Sequence, residues 1–578
     1  MKLLQHITFT LFITSAYCLT NAIMFEPIEN FLDQSQRPPS IDYESCKALN
    51  RYANKLFSMK EYKEASIVYQ QAIVISPTCP ELFFNLGQAL YCAKKYPEAL
   101  DAYKKAIKYK KDYCDAYIQI AQLMTDSHQP KNALLLLKKA LTIEPHNTDA
   151  RLKLARVYKD KARFNKAITI LSDGLIFNPN NAKLIFELAH MYNLSNEFDK
   201  SLILYQQLNE QLPNNTAILH NIALTLKKME RVDEALIFYN RALDLNPDNK
   251  EALFSCGLAY LTIGDFEKGF AGYEHRHIPP IPKGLKTSRK PVWNGSDLHG
   301  KTILIHNTEQ SFGDTLQFIR YAKLIKEKNG IVIAAVQTAL VPLIKLYPHI
   351  DYVVSKDEPL SYSFDVHASI MSLPYILQTR LETIPHEQPY LHADEHLVDH
   401  WKKELSHDTN FKIGICWQGN EDPTTTPLLR TLIGQKSVNI RAFAPFCAID
   451  NVNLYSLQKT TGTDQLNDLP DAIKVITFDG DFDHSNGRFM DTAAVIKNLD
   501  LVITVDTSIG HLAAGLGVPT WVILPNPADW RWMIKRADSP WYPTMRLFRQ
   551  PTPGDWETLI KSVAHELKKY ITERKLHD

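Results

Sequence analysis

A repeat of 34 residues between positions 46 and 276 constrains the fold more than any other feature of this sequence. Small residues recur at this step in two series, one being Ala53, Gly87, Ala121, Ala155, Ala189, Ala223 and Gly257, the other Ala65, Ala99, Ala133, Ala167, Ser201, Ala235 and Gly269. Prolines follow the same step at Pro77, Pro145, Pro179, Pro213 and Pro247. Small residues let two helices cross closely, and proline ends the second helix. The repeat therefore predicts stacked helical hairpins, an α-solenoid.

This pattern resembles the tetratricopeptide signature, with seven repeats at residues 46–277. Such arrays present an extended concave surface, so a protein or peptide partner is expected there. A spacer or a dimerisation platform is the alternative. The last repeat, Glu251–His277, ends in GFAGYEHRH and departs from the pattern, as expected of a unit that abuts another domain.

Length and charge limit the function classes. A chain of 578 residues is too long for one core. Its 65 basic and 64 acidic residues give a net charge of +1, so it lacks the basic character of a nucleic-acid-binding protein. The eight cysteines show no CxxC spacing, which favours free thiols over zinc ligands or disulfides.

Residues 278–300 carry four prolines and read as a linker to an α/β region. The first half of this region, 301–390, shows apolar β-branched runs around an amphipathic helix. We predict strands at Thr302–His306, Ile331–Val336, Tyr352–Val354 and Phe364–His367, a helix at Gly313–Lys328, and a crossing to the next half at Ile384–Tyr390. Strands that alternate with helices predict a parallel sheet.

The second half, 391–578, repeats this alternation and ends in a helix. We predict strands at Phe411–Cys416, Asn453–Leu457, Leu501–Val505 and Thr520–Leu524, and helices at Ile440–Ile449 and Asp491–Asn498. Between the last two strands a short helix opens with the N-cap types Asp506, Thr507 and Ser508 and closes at Gly515 and Gly517.

Polar side chains collect just beyond the predicted strand ends: Asn420, Lys459, Asp506, Thr507, His511, Asp529 and Arg531. Ligands bind at this edge of parallel sheets. A helix that begins there offers free amides and the positive end of its dipole to an anion. The sequence therefore predicts a ligand site at this edge.

The segments DTSIGHLAAGLG and PNPADWRW resemble the nucleotide-sugar-binding part of the heptosyltransferase-like glycosyltransferases, glycosyltransferase family nine. The resemblance implies a GT-B fold of two Rossmann-like halves and a metal-independent, inverting transfer without a cofactor. Its substrate would be a nucleotide-diphosphate sugar. The order of repeats and then a GT-B domain also distantly resembles the protein O-GlcNAc transferases, which makes a protein acceptor plausible.

The segment EQSFGDTLQF resembles the family's first loop, in which a Gly-Asp pair carries the catalytic aspartate. Carried over, these residues are Gly313 and Asp314. A carboxylate there can take the proton of an acceptor hydroxyl as it attacks the anomeric carbon. The alternative is that Asp314 caps the helix. Related proteins usually have glycine where this chain has Ser311, a departure that puts activity in doubt.

The resemblance also implies donor-binding roles. The helix start at Thr507, Ser508 and Gly510, with Asp506 and Asn420 beside it, would hold the diphosphate together with His511, Lys459 and Lys436. Lys436 stands where the family usually has arginine, so it keeps the charge but loses the bidentate fork. A solvated lysine and a core histidine are the alternatives. Possible lid or sugar contacts are Gln310, Asp529, Trp530 and Arg531, although core packing is the default for tryptophan.

Two functions remain open at this point. One is a glycosyltransferase whose acceptor is recruited by the repeats. The other is a scaffold with an inert, nucleotide-binding α/β part, which Ser311 and Lys436 favour.

The location of the chain also stays open. Residues 1–22 resemble a secretory signal peptide and are too short and too polar for a membrane span, so export is one possibility. A start at Met24 is the other. The need for cytosolic nucleotide sugars makes a cytoplasmic location our expectation.

Overall fold

The computed structural model describes residues 43–277, 290–307, 311–419, 425–478 and 480–575. The possible signal peptide, residues 278–289 of the linker, Gln310 and Asn420 lie outside the described residues. The chain divides into two compact units, with the boundary between Leu208 and Asn209.

Between Tyr43 and Tyr273 the described chain forms fourteen helices that follow one another as antiparallel pairs. They are α1 (Tyr43–Ser58), α2 (Tyr62–Ile75), α3 (Pro80–Cys92), α4 (Tyr96–Tyr109), α5 (Cys114–Asp126), α6 (Pro130–Ile143), α7 (Thr148–Asp160), α8 (Phe164–Phe177), α9 (Ala182–Leu194), α10 (Phe198–Gln211), α11 (Thr216–Lys228), α12 (Val232–Leu245), α13 (Lys250–Ile263) and α14 (Phe266–Tyr273). Both series of recurring small residues are buried, as close crossing of the helices requires.

A left-handed residue joins the two helices of each pair. It recurs with the repeat as Lys60, Lys94, His128, Ala162, Asn196, Glu230 and Gly264, with φ between 53° and 90°. Only the last of these is glycine, the residue that adopts this conformation without steric cost. The sequence pattern did not indicate this turn, because five different side-chain types share one backbone conformation.

The first α/β half has a four-stranded parallel sheet in the order β3-β2-β1-β4. Its strands are β1 (Thr302–His306), β2 (Ile331–Val336), β3 (Tyr352–Ser355) and β4 (Val366–Ser369). The helices are α15 (Phe312–Phe318), α16 (Ala322–Lys326), α17 (Val341–Ile344) and α18 (Leu373–Ile376). The single helix predicted at Gly313–Lys328 is wrong in one respect, since a 3-10 turn at Ile319–Tyr321 interrupts it. There the Arg320 side chain turns inward and donates to the carbonyl of Gln317.

The second half has a six-stranded parallel sheet in the order β10-β9-β8-β5-β6-β7. Its strands are β5 (Phe411–Cys416), β6 (Val452–Ser456), β7 (Val475–Ile476), β8 (Leu501–Val505), β9 (Thr520–Leu524) and β10 (Met545–Arg549). The helices are α19 (Glu395–Glu404), α20 (Pro427–Gly434), α21 (Ala444–Cys447), α22 (Met490–Lys497), α23 (Ser508–Gly515) and α24 (Trp556–Lys575). The helix predicted at Ile440–Ile449 begins instead as a 3-10 turn, Ile440–Phe443.

The last helical pair shares a hydrophobic core with the α/β part. Phe266 stacks on Trp541 with ring centroids 5.6 Å apart, and Phe270 meets Trp530 edge-on at 5.8 Å. Gly257 and Gly272 face each other so closely that a Cβ on either would lie within 2.8 Å of the other's backbone. These glycines let α13 and α14 pack tightly while the aromatic face of α14 contacts the second half.

The predicted fold class, an α-solenoid followed by an α/β part, is confirmed. Among the helices of the described ranges, none combines the length and apolar character that crossing a membrane needs.

Candidate functional site

Loops from both sheets meet at the carboxyl ends of the strands. In the second sheet β8 lies between β5 and β9, so the loops after these three strands are neighbours. The loop after β8 carries Asp506, and the loop after β9 carries Asp529 and Arg531. In the first sheet β1 lies between β2 and β4, and the segment after it leads to Ser311 and Asp314.

Arg531 joins the two halves through three hydrogen bonds. Its Nη2 donates to Oδ1 of Asp314 at 2.7 Å, its Nε donates to Oε1 of Gln317 at 2.8 Å, and its Nη1 donates to Oδ1 of Asp529 at 2.9 Å. The Arg531 and Asp314 side chains are only 11% and 13% exposed. Such partly desolvated, charge-assisted bonds are among the strong polar contacts of a protein. We call this group, Arg531 with Asp314, Gln317 and Asp529, the arginine clamp.

The charges of the clamp stabilise one another. Burial disfavours the charge of Arg531, but the carboxylates of Asp314 and Asp529 raise the pKa of its guanidinium. Burial also opposes ionisation of Asp529, yet Arg531 and Lys436 lower the pKa of that carboxyl to about 2. These pKa shifts favour the charged forms of Arg531 and Asp529.

Ser311, rather than Asp314, caps helix α15. The Ser311 hydroxyl accepts the amide of Asp314 at 3.3 Å, so the alternative in which Asp314 is the cap is wrong. The Asp314 carboxylate is aimed away from its own helix start, toward Arg531. A glycine at position 311 would lack this cap, which gives the serine a structural role.

A buried polar network holds the loop that carries Asp314. Asn307 donates to the Thr315 hydroxyl at 2.9 Å, and this hydroxyl donates to the side-chain oxygen of Gln337 at 2.8 Å. The amide nitrogen of Gln337 in turn donates to the carbonyl of Ser311 at 3.0 Å. These bonds connect Ser311 and Thr315, at the start of α15, to Asn307 and Gln337, which follow β1 and β2.

Lys436 and Asp506 form a second ion pair, with Nζ and Oδ2 3.0 Å apart. The Asp506 side chain is 9% exposed and the lysine 45% exposed. Asp506, and then Asp529, raise the pKa of Lys436. Lys436 is therefore not the simply solvated lysine of the alternative reading. Its ammonium group interacts with the carboxylates of Asp506 and Asp529 at the edge of the second sheet.

The start of α23 has no side-chain cap, contrary to the prediction from its N-cap residue types. The Thr507 hydroxyl bonds instead to the Thr504 hydroxyl at 2.9 Å and contacts Sγ of Cys416, while Asp506 is held by Lys436. Ser508 is half-buried at this start, and Gly510 is buried against Thr504. The amide of Gly510 donates to the carbonyl of Thr507 at 3.2 Å, so within the described residues the open amides at this helix start are those before Gly510.

His511 is buried, as in the alternative reading, but its partner is a side chain rather than backbone. Its Nδ1 lies 2.8 Å from the hydroxyl of Tyr542, and its ring stacks on Trp532 with centroids 5.4 Å apart. A Cβ on Gly313 would lie 2.9 Å from Cδ2 of His511, so only glycine allows this approach of the two halves. Burial lowers the pKa of His511 to about 3.

Two predicted residues have other surroundings than expected. Lys459 donates to the carbonyl of Phe482 at 2.7 Å and lies over the Phe482 ring. Trp530 is 6% exposed and packs against Phe270 and Tyr273 of the last helical pair. Their roles as a diphosphate ligand and a sugar contact stay predictions. The Trp530 ring also packs on the Arg531 guanidinium, with 4.6 Å between Cζ and the ring centroid.

Sequence reasoning missed three residues behind the site: Arg320, Tyr390 and Tyr542. All three are buried, and Arg320 lies over both tyrosine rings at 4.3 and 4.5 Å. The one available signal was an arginine in an otherwise apolar helical face. Lys227 at the end of α11 was missed as well, and it lies near enough to Asp529 for their charges to interact. Burial lowers the pKa of Lys227 to about 8.

Comparison with known families identifies the repeats. Profiles described as tetratricopeptide repeat match residues 124–184 and residues 80–113 and 216–249, and one described as TPR repeat matches residues 53–92. The N-terminal part of about 270 residues therefore contains tetratricopeptide repeats, a class that acts in protein interaction.

One curated relative is Protein FlbA of Caulobacter vibrioides, which is 24% identical over 344 residues. The match covers 55% of this chain and 55% of FlbA, so the chain spans about half the length of that relative.

Solved structures similar to this chain include the tetratricopeptide protein YrrB, described as having an unusual peptide-binding site. It is 22% identical, with a TM-score of 0.29, and the match covers 32% of this chain and 96% of YrrB. A tetratricopeptide repeat protein of Parabacteroides merdae is 16% identical, with a TM-score of 0.35, and covers 40% of this chain and 91% of its own.

Proposed function

We propose that this protein transfers a sugar from a nucleotide-diphosphate donor to an acceptor that the repeats recruit, with Asp314 as the base. The observation that carries the proposal is the arginine clamp. It brings the candidate base of the first half to the strand edge of the second half, beside Asp506, Asp529 and the open start of α23.

Asp314 is well placed to accept a proton. Its Oδ1 is anchored by Arg531, while Oδ2 has no hydrogen-bond donor among the residues that the structure describes. In the reaction, the acceptor hydroxyl would give its proton to Oδ2 as its oxygen attacks the anomeric carbon. The bond from that carbon to the diphosphate breaks at the same time, which inverts the anomeric configuration. The anchored oxygen keeps the carboxylate in one orientation throughout.

The leaving diphosphate needs positive charge and free amides. The start of α23 at Thr507 and Ser508 supplies amides, and Lys436 supplies a cation at the same edge. Because Arg531 already binds two carboxylates and Gln317, we assign it to orienting Asp314 rather than to holding phosphate. We include in this proposal that the two α/β halves form a GT-B fold.

The repeats would select the acceptor. α11 ends with Lys227 near Asp529, and the last pair packs on Trp530 and Trp541. A protein segment bound along this end of the repeats would therefore be close to Asp314. This contiguity supports a protein or peptide acceptor over a small sugar lipid.

A scaffold function is the second candidate, and the ion pairs themselves favour it. Arg531 occupies one oxygen of Asp314, and Asp506 occupies Lys436, so both predicted functional groups are paired within the protein. In a scaffold these pairs would only hold the two halves together, and no nucleotide would be needed.

A binding screen separates the transferase from a scaffold that binds no nucleotide, while donor turnover separates it from a scaffold that binds one without catalysis. The full chain is heated with UDP, ADP, GDP, CMP and their common sugar conjugates, and its melting temperature is recorded. A ligand at about 100 times its dissociation constant adds about 2.7 kcal/mol to the stability of the folded state. We expect one nucleotide to raise the melting temperature, and to do so less in Lys436→Ala than in the control Lys412→Ala. If none of the nucleotides or sugar conjugates raises the melting temperature of the folded protein, the transferase proposal is contradicted.

A further inference from the structure

A cation lies in the core directly behind His511. Arg320 is 2% exposed and donates to the carbonyls of Trp541 at 2.6 Å, Gln317 at 2.7 Å and Pro385 at 3.0 Å. Within the described residues no carboxylate forms an ion pair with it. A buried charge without a counter-ion is costly, so the neutral groups around it must each point an acceptor atom at the guanidinium.

Tyr390 is one of these acceptors, and its proton is already committed. Nη2 of Arg320 donates to the Tyr390 hydroxyl at 3.0 Å. That hydroxyl donates its own proton to the carbonyl of Leu316 at 2.7 Å, because a carbonyl can only accept. The Tyr390 oxygen is therefore both a donor and an acceptor in fixed directions.

Tyr542 lies between Arg320 and His511 and contacts both side chains. The guanidinium of Arg320 lies 4.5 Å from the centre of the Tyr542 ring. The same hydroxyl is 2.8 Å from Nδ1 of His511 and 3.5 Å from the hydroxyl of Tyr390. Its single proton must go to one of these two atoms.

Geometry decides between the two arrangements. If Nδ1 of His511 carried a proton, it would donate to Tyr542, and the proton of Tyr542 would have to reach Tyr390 across 3.5 Å, toward an oxygen that already accepts from Arg320. If Tyr542 donates to Nδ1 instead, the hydroxyl protons of Tyr390 and Tyr542 both have short bonds. The second arrangement leaves the N–H at Nε2 of His511 for a further acceptor.

We propose that Arg320, through Tyr542, fixes His511 in the tautomer that carries its proton on Nε2, and that this N–H donates to a diphosphate oxygen of the donor substrate. The ligand part of this inference rests on the proposed function, and the tautomer does not. Arg320 and Tyr542 are positioning residues in this account, since neither touches the substrate.

The position of Nε2 fits this role. A Cβ on Gly313 would lie 3.4 Å from Nε2, so the nitrogen faces the residue next to Asp314. His511 is 4% exposed, and its Nε2 has no hydrogen-bond partner in the part of the chain that the structure describes. An N–H at Nε2 is therefore available to an oxygen of the substrate.

The charges that face His511 keep it neutral. Burial is the largest influence and lowers its pKa; Arg531 and Arg320 act in the same direction, while Asp506 and Asp529 oppose them. The ring also stacks on Trp532. An uncharged ring with one fixed N–H can donate to phosphate but cannot act as a general base through Nε2.

Nuclear magnetic resonance of the full chain with ¹⁵N-labelled histidine tests the tautomer. The ring nitrogens of a protonated and an unprotonated position differ in chemical shift, and His511→Gln identifies the signals of His511. We expect an Nε2–H signal pair that does not move between pH 5 and 9. Tyr542→Phe should shift it, whereas Tyr321→Phe, which removes a buried hydroxyl bonded to Thr379, should leave it unchanged. An Nδ1–H tautomer, or a titration in this range, overturns the proposal.

A second experiment tests the hydrogen bond that Nε2 of His511 is proposed to donate to the diphosphate. UDP, or whichever nucleotide raises the melting temperature, is titrated while the Nε2–H signal is followed. We expect this signal to shift on binding, and Tyr542→Phe to bind at least about 10-fold more weakly, as expected for the loss of an oriented hydrogen bond to a charged group. Nucleotide binding without any change at Nε2 overturns the ligand part. If no nucleotide binds, the proposed function fails, while the tautomer is still decided on the free protein.

Discussion

Arg531 and Asp314 are 217 positions apart in the chain, yet Nη2 of the arginine and Oδ1 of the aspartate are 2.7 Å apart. This contact joins the loop after β9 of the second sheet to the first turn of α15 beside the first sheet. It places the only oxygen of Asp314 that the described residues leave open, Oδ2, at the edge where the second half presents Asp506 and α23.

The arginine clamp should contribute measurably to stability. Arg531→Ala would leave Asp314 and Asp529 as partly buried carboxylates without their cation, a change that costs about 3 kcal/mol in comparable buried pairs. Arg546→Ala is the matched control, because Arg546 pairs with Glu566 at 2.7 Å but is 43% exposed. Exposed pairs contribute at most about 1 kcal/mol. The melting temperatures of the two variants measure the difference, and equal shifts would show that the clamp is not a strong contact.

His511 should make the protein sensitive to mild acid. Its folded pKa of about 3 lies below the ordinary value of 6.5, so the stabilisation is complete above pH 6.5 and is lost as pH falls toward 3. One proton taken up on unfolding changes stability by about 1.4 kcal/mol per pH unit.

The variant His511→Gln isolates this contribution. We expect the melting temperature of the wild-type protein to fall more steeply than that of the variant between pH 6.5 and 4.5. The matched control is His565→Gln, because His565 lies in the terminal helix α24. Parallel curves for the wild type and His511→Gln would contradict the low pKa.

The left-handed position in the turn of each repeat should be more stable with glycine than with the residue that it carries. Ala162 has φ of 53°, a conformation that costs a residue with a Cβ about 1 kcal/mol. Ala162→Gly should therefore raise the melting temperature or leave it unchanged. The neighbouring Lys161 has φ of −93°, so Lys161→Gly should lower it. A lower melting temperature for Ala162→Gly than for Lys161→Gly would contradict this reading of the turn.

Local sequence patterns predicted much of the fold. The strands Phe411–Cys416, Leu501–Val505 and Thr520–Leu524 begin and end where the β-branched runs do, because buried parallel strands need apolar side chains on both faces. β10 was not predicted. Its arginines, Arg546 and Arg549, interrupt the apolar run and keep partners outside the sheet.

The site was predicted less completely than the fold. Asp506, Asp529 and Arg531 were identified as strand-edge residues, and Asp314 was identified through the family resemblance. Their pairing depends on how two sheets face each other, which no local pattern encodes. Thr507 resembled a cap and bonds to Thr504 instead. The side-chain contacts from Arg320 through Tyr542 to His511 join residues from three distant segments. No local sequence pattern indicates that these residues meet.

The central claim is that Asp314 is the base of a sugar transfer, and the rate at which the donor releases its nucleoside diphosphate tests it most directly. The donor is the sugar conjugate of whichever nucleotide binds, and the full chain is compared with Asp314→Asn and with Asp351→Asn, whose carboxylate pairs with Lys326 elsewhere in the first half. We expect Asp314→Asn to bind the donor normally but to release product at least about 100-fold more slowly, with Asp351→Asn unaffected. Release at the wild-type rate by Asp314→Asn would contradict the mechanism.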